Sequence, residues 1–341
     1  MTVPSDRPTP RPDDAVRRDP PGGPPVGVPV EPEADLARSG PLLTRCGPEV
    51  ARFLAVSPAE LVAVLGDVGA SAGERLAAGT LLALVGDPRI DPMRPDLVDI
   101  PGGTFRMGLD EGRVDAVTAA WAAFGVERPW IAKEAPAHPV TLAPYRLGRF
   151  PVTNAEYLAF VLARPEAPRP SGWAHGTFPW AQANHPVHTL PPEAADAYAA
   201  WLAGATGRGF RLPTEAEWEF AATGGDEREF PWGDDWDPHR ANTAEAGPLS
   251  TTPVGAYPTG RSPFGIEDLG GNVEEYVADD YWPYPGGAVV ADDLVDLHGE
   301  RYRIARGGSF ARHGDLARCR RRHGWYHSPH YAMGFRLAET P

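Results

Sequence analysis

Cysteine is nearly missing from this 341-residue chain: Cys46 and Cys319 are the only two. Two thiols cannot build a disulfide framework. Met1 to Val30 is rich in proline and has no apolar stretch, so it does not read as a secretory signal. Together these features point to the cytoplasm. No apolar run reaches the ~18 residues that a membrane helix needs, so no membrane partner is expected. Lysine is scarcer still, because Lys133 is the single one and all other side-chain cations except histidine are arginine. Histidine does not occur before His138. The formal charge of −14 argues against nucleic acid as a partner. What is present is 42% hydrophobic residues, enough for a sizeable core.

The texture of the chain changes twice. Residues 1–45 are dominated by proline, glycine and mixed charge and are expected to be disordered, because they cannot bury enough apolar surface to offset the entropy of ordering. Residues 46–95 read as a small helical hairpin. Ser57-Pro58-Ala59-Glu60 and Ser71-Ala72-Gly73-Glu74 are capping boxes, and Gly86-Asp87-Pro88 is a stop. This unit has no ionisable cluster, so its expected role is to link or to dock a protein partner. Residues 97–341 form the main domain, with short strands, frequent glycine and proline, and dispersed aromatics. Thr153-Asn154-Ala155-Glu156 and Thr214-Glu215-Ala216-Glu217 cap helices, and Pro192 to Ala203 is a further helix. Residues 110–136 read as an inserted stretch with Val114, Val117, Trp121 and Phe124 at helical spacing. After Ala222 only turns and short strands are expected.

The last forty or so residues hold the densest chemistry. Arg306-Gly307-Gly308-Ser309-Phe310 and Gly334-Phe335-Arg336-Leu337 frame a stretch that contains Arg312, Arg318, Arg320, Arg321 and Arg322, with His313, His323, His327 and His330. Asp315 is the only acid between Arg301 and Arg322. Two readings of the arginines stand side by side. They hold an anion, or they brace carboxylates inside the fold, which their forked geometry suits. The histidines also admit two readings: a mononuclear iron or zinc site completed by Asp315, or an aromatic, polar cleft that recognises a ligand by stacking and hydrogen bonding. The candidate cleft residues are Arg312, His313, Trp325, His327, His330 and Tyr331.

Several blocks occur in a telling order. They include Pro101-Gly102-Gly103-Thr104-Phe105-Arg106-Met107-Gly108, Arg211-Leu212-Pro213-Thr214-Glu215-Ala216-Glu217-Trp218-Glu219, Phe230-Pro231-Trp232-Gly233 and Gly270-Gly271-Asn272-Val273-Glu274-Glu275-Tyr276, followed by the closing frame. From about residue 97 to 339 the chain resembles the sulfatase-modifying-factor family, whose best-known member is the formylglycine-generating enzyme. The resemblance implies an α+β, C-type-lectin-like fold with little regular secondary structure. It also implies where that enzyme's two copper-binding cysteines would fall, namely at Arg312 and Ala317. Neither is a thiolate, so no copper site of the two-cysteine type is expected. Cys319 reads as a buried structural thiol. A second branch resembles the C-terminal domain of ergothioneine-type sulfoxide synthases, whose non-haem iron is held by histidines of a separate helical domain; the N-terminal helices here contain none. A third branch, the variable proteins of diversity-generating retroelements, binds ligands through the framed stretch.

By position, the resemblance also implies a structural calcium site made of the carbonyls of Asp268, Gly271 and Val273 with the carboxylate of Glu275. Glu274 stands where the family usually has tryptophan. A weaker calcium candidate uses Asn242 and the carbonyl of Thr243, with Glu245 as the acid. Two functions are therefore expected as rivals. One is a non-haem metal-dependent oxidoreductase or maturation factor, with iron as the named metal, acting on a peptide or small molecule. The other is a non-catalytic, lectin-like binding module, a pseudoenzyme or retroelement-type variable protein, for a peptide, glycan or anionic ligand.

Overall fold

The computed structural model describes residues 47–325 and 331–340. The expectations for the N-terminal tail, Cys46, His327 and His330 lie outside the described residues. Where a helical hairpin was expected, three helices follow one another: α1 (Gly47–Phe53), α2 (Pro58–Gly66) and α3 (Ala72–Val85). Both capping boxes form, Ser57 with Glu60 and Ser71 with Glu74, each cap contributing about 1 kcal/mol. Leu61, Leu65, Leu81 and Leu82 bury against one another and against Ala256 of the main body. Gly79 is needed at this contact, since a Cβ there would lie 2.5 Å from the ring of Pro253. Arg75 Nε donates to the Ala256 carbonyl at 2.8 Å, and Asn184 Nδ2 to the Gly79 carbonyl at 2.9 Å.

Strands β1 (Leu97–Ile100) and β2 (Gly103–Met107) are neighbours in sequence but do not pair. Between them Gly102 takes φ +70°, and a Cβ there would meet the Leu142 carbonyl at 2.4 Å, so the chain can swing from one sheet to another. Strand β2 pairs with β3 (His138–Leu142). Strand β1 joins β4 (Tyr145–Gly148), β10 (Ala338–Glu339) and β5 (Phe210–Arg211), in the order β1-β4-β10-β5. The third sheet runs β8-β7-β6-β9, from β6 (Glu274–Asp280), β7 (Arg303–Arg306), β8 (His323–Gly324) and β9 (Met333–Phe335), with only β6 and β9 parallel. Arg306 and Gly334, one from each end of the frame, both sit opposite Glu275 of β6. The framed stretch is thus a long excursion between strands of one sheet.

Helices α6 (Asn154–Ala163), α7 (Pro192–Thr206) and α8 (Glu215–Thr223) pack around Tyr157, Tyr198, Trp218 and Phe335. Thr153 and Thr214 make the expected capping boxes for α6 and α8. The inserted stretch supplies α4 (Val114–Ala120) and α5 (Arg128–Ala132), and its Val114, Val117 and Trp121 pack with Phe230 and Ala317. One helix breaks the expectation of turns and strands after Ala222. It is α9 (Asp293–His298), capped by Asp292 accepting from the Val295 amide at 3.0 Å. Six residues are too few for a periodic pattern to show.

Arginines are part of the interior. Arg306, Arg318, Arg322 and Arg336 are among the largest fully buried side chains. Arg322 forks onto Glu215 at 2.8 and 3.1 Å, and Arg306 Nη2 reaches Glu215 at 2.8 Å and Glu219 at 3.0 Å. Arg318 forks onto Glu134 at 2.9 Å twice and also pairs with Glu229. For these arginines the bracing reading holds and the anion-holding reading does not.

Candidate functional site

Gly307 and Gly308, at φ +94° and +70°, turn the chain sharply after β7. A Cβ on Gly308 would lie 3.0 Å from the Ala317 amide nitrogen, so the framed stretch folds back tightly on its own start. A Cβ on Gly314 would lie 2.4 Å from the Trp236 ring, so the backbone lies directly on the indole. Two hydrogen bonds tie this fold-back to the loop after Asn242. The Ala244 amide donates to the Arg312 carbonyl at 2.9 Å, and the Gly314 amide donates to Glu245 Oε1 at 2.8 Å.

The result is a cleft with about 480 Å³ of empty space, its open mouth included. One wall is Arg312, His313, Asp315, Leu316, Arg321 and His323. Facing them are Phe124, Val126, Trp130 and Lys133 of the inserted stretch, with Asp293 and Leu294 of α9. Of the residues that the sequence nominated, Arg312 and His313 line the cleft. Tyr331 lies beneath Arg312, whose guanidinium is 4.2 Å from the ring centroid. Trp325 lies apart, stacked on His298 at 6.3 Å. The sequence reading gave no role to Phe124, Val126, Trp130, Lys133, Asp293 or Leu294. One signal was available: a chain that uses arginine almost everywhere kept its single lysine here.

The electrostatics of the cleft are uneven. Glu274 is wholly buried. Its Oε2 is 2.5 Å from His323 Nδ1, its Oε1 has no hydrogen-bond donor, and Arg312 Nε is 4.0 Å away from Oε1. Burial works against ionisation of Glu274, but His323 and Arg312 outweigh it and hold the carboxyl below its usual range. Asp315 is pushed up by burial, with Arg321 Nε as far as 3.5 Å away. Lys133 pairs with Asp292 and reaches the Tyr302 hydroxyl at 3.1 Å. Burial lowers its amine to about 8. The Tyr331 phenol is pushed up to about 12 by burial.

Where the resemblance implied copper, Arg312 faces the cleft and Ala317 is fully buried in the aromatic cluster around Phe230. Cys319, the only cysteine among the described residues, is fully buried and its thiol is pushed up by burial. Its backbone is occupied in the brace: its amide donates to the Glu229 carbonyl at 2.8 Å and its carbonyl accepts from Arg306 at 2.7 Å. Among the described residues no three histidines, cysteines or carboxylates converge as a metal cage.

The two calcium candidates differ in the state of their oxygens. In the set expected to be stronger, the Glu275 carboxylate is not an open ligand. Arg336 forks onto it at 2.5 and 2.6 Å, and Trp218 Nε1 donates to it at 2.8 Å. A dication there would meet a charge that a guanidinium already neutralises. The set expected to be weaker is different. Asn242 Oδ1, Thr243 Oγ1 and Glu245 Oε2 are buried without a hydrogen-bond partner. A Cβ on Gly247 would lie 2.0 Å from Asn242 Oδ1 and 2.7 Å from the Thr243 carbonyl, so both oxygens point into one small space. Converging oxygen donors of this kind suit calcium.

Among the described residues no helix is long and apolar enough to cross a membrane. Residues 85–341 match the family model of the sulfatase-modifying factor enzyme 1-like domain. The chain is 33% identical over 304 residues to the formylglycine-generating enzyme of Streptomyces coelicolor, covering 72% of this chain and 84% of that one. It is also 33% identical over 248 residues to the hercynine oxygenase of Mycolicibacterium smegmatis, covering 62% of this chain and 53% of that one. The chain spans about half the length of the hercynine oxygenases it matches. Among solved structures, PvdO from Pseudomonas aeruginosa superposes with a TM-score of 0.54 at 26% identity, over 72% of this chain and 95% of that one. The variable protein 1 of Treponema denticola gives a TM-score of 0.51 at 20% identity over 72% of this chain and 95% of that one, a likeness of fold alone.

Proposed function

Because the chain belongs to the sulfatase-modifying factor family, we propose that it is an oxidoreductase or maturation factor that acts on a peptide or small molecule in the cleft around Arg312, without a copper-binding cysteine pair. The observation that carries this reading is Glu274, a buried carboxylate hydrogen-bonded to the cleft-lining His323, with the Arg312 guanidinium 4.0 Å away. The relatives named as a generating enzyme and an oxygenase support the oxidative class.

The loop from Asn242 to Gly247 would hold calcium through Asn242 Oδ1, the Thr243 carbonyl and Glu245. The ion would supply structural order there, since the same loop ties down Arg312 and Gly314. Calcium should raise the unfolding temperature of the purified protein, and Glu245→Gln should abolish the rise. Iron would be held by ligands outside the described residues, His327 and His330 or a partner protein. The chain's own part is to receive the substrate between the aromatic wall of Phe124 and Trp130 and the charged wall of Arg312 and Asp315.

The test is a turnover assay on the full chain, loaded with iron(II) and incubated in air with peptide and metabolite extracts. An oxygen-dependent mass change in one component supports the reading. Saturable binding of a component that is recovered unchanged assigns the chain to the lectin-like binders instead.

A further inference from the structure

A second hollow lies at the seam where the N-terminal helices meet the main body. It has about 680 Å³ of empty space, its open mouth included, a size that suits a small molecule. Val62 and Gly66 of α2 line one side, and Arg149, Arg261 and Glu267 of the main body line the other. The loop that carries Arg261 and Glu267 is held by its own backbone. The Ser262 amide donates to the Ile266 carbonyl at 3.0 Å, and the Gly265 amide to the Ser262 carbonyl at 2.8 Å. The Glu267 amide donates to the Arg149 carbonyl at 2.9 Å, which joins this loop to the end of β4.

Both signs of charge have unused capacity here. Arg149 spends Nε on Asp96 at 2.7 Å and Nη1 on the Gly265 carbonyl at 3.1 Å, which leaves Nη2. Arg261 spends only Nη2, on Glu267 Oε1 at 2.9 Å. These two arginine side chains are 34% and 41% exposed, so a ligand can reach them. Glu267 is their counterpart. It is only 5% exposed, and its Oε2 is buried without a hydrogen-bond partner. A Cβ on Gly255 would lie 2.9 Å from that oxygen, so the oxygen borders space that only a glycine leaves open. Burial pushes the Glu267 carboxyl up, with Arg261 opposing. A third arginine, Arg89, is already engaged: it forks onto Asp87, donates to the Val254 carbonyl and stacks on Phe150.

We infer that this seam binds the zwitterion of an α-amino acid with an apolar side chain. The carboxylate takes the spare donors of Arg149 and Arg261, the ammonium takes Glu267 Oε2, and the side chain lies against Val62. Arg261 and Glu267 touch, so the places for the two charges are adjacent, as the charges are on one α-carbon. A plain anion would meet the unpaired Glu267 oxygen and the Asp96 carboxylate, and a plain cation would meet the guanidiniums. A ligand with both charges satisfies both sets. It also bridges α2 and the main body, independently of the cleft around Arg312.

Calorimetric titration of the full chain compares L-leucine with 4-methylpentanoate, which lacks the ammonium, and with 3-methylbutylamine, which lacks the carboxylate. Leucine is expected to bind saturably. Each analogue should bind at least about tenfold more weakly, because it gives up a charged hydrogen bond. Glu267→Gln should weaken leucine by about tenfold and leave 4-methylpentanoate no weaker. Arg149→Met should weaken leucine and 4-methylpentanoate alike. Far-ultraviolet circular dichroism and the unfolding temperature check that each variant is folded. If Glu267→Gln fails to fold, the two analogues and Arg149→Met decide. An affinity for 4-methylpentanoate equal to that for leucine overturns the zwitterion, and so does leucine binding unchanged in Glu267→Gln. No leucine binding overturns the site. Leucine binding lost in Arg312→Met would place the ligand in the cleft and overturn the seam. None of these results bears on oxygen-dependent turnover in the cleft, which stands or falls separately.

Discussion

Two regions of this molecule bury charge, and they do it in opposite ways. In the layer between α8, β7 and the strip from Arg318 to Arg322, guanidiniums and carboxylates share two or more hydrogen bonds in fixed forks. In the cleft next to it, Glu274 leans on a histidine, Asp315 is 3.5 Å from its nearest guanidinium nitrogen, and the single lysine replaces the usual arginine. Arginine does not release its proton in the physiological range, whereas histidine and a buried lysine do. The brace is therefore fixed in charge and the cleft is not.

The comparison can be broken most decisively at Glu215, which serves both Arg306 and Arg322. Glu215→Ala leaves two buried guanidiniums without their shared partner and should cost about 3–5 kcal/mol in urea unfolding, or prevent folding. A loss below about 1 kcal/mol would mean that the layer does not brace.

Next in size is the pH response of Lys133, which the brace cannot imitate. Its folded value is about 8 against an ordinary 10.5. Between those values the unfolded chain holds more protons, so stability should rise with pH across that window as the buried charge is relieved. The expected gain is about 1–3 kcal/mol relative to Lys133→Met, whose profile should lack it. Equal slopes in parent and variant would place the amine in an ordinary environment.

Arg312→Met sharpens the contrast within one residue type. Its guanidinium stacks on Tyr331 and stands off from Glu274 at 4.0 Å, so the cost should be about 1–2 kcal/mol, well below that of Arg318→Met. Similar losses for both would erase the distinction between brace and cleft. The smallest effect is expected at Cys319. Cys319→Ala should cost about 1 kcal/mol and leave cleft binding intact. The native thiol should stay silent to thiol reagents until the protein unfolds. Rapid labelling of Cys319 in the folded Cys46→Ser protein would contradict its burial in the brace.

Local features of the fold were legible. The four capping boxes at Ser57, Ser71, Thr153 and Thr214 need only a residue and its third neighbour, and all four form. The two Gly-and-Phe blocks of the frame were visible in the sequence, and in the first of them Gly307 and Gly308 take positive φ, where glycine has few substitutes. The site was legible in part. Arg312 and His313 were found because they lie in the frame, but Trp130 and Lys133 reach the same cleft from an insertion whose helices looked merely structural. The calcium sites were read by position, and position alone does not show whether a carboxylate such as Glu275 already has an arginine on it.

The sequence by itself determined the family, the closing frame and the absence of a cysteine pair, since each is a matter of which residue stands at which spacing. Only the tertiary structure decided what the arginines do. Arg318 and Glu134 are 184 residues apart, and Arg322 and Glu215 are 107 apart. No local pattern couples such pairs; they meet because an unpaired charge in the interior is too costly to leave there. The same folding that matched those arginines to glutamates gave Glu274 a histidine, with Arg312 only at 4.0 Å, and so set the cleft apart from the brace that holds the domain together.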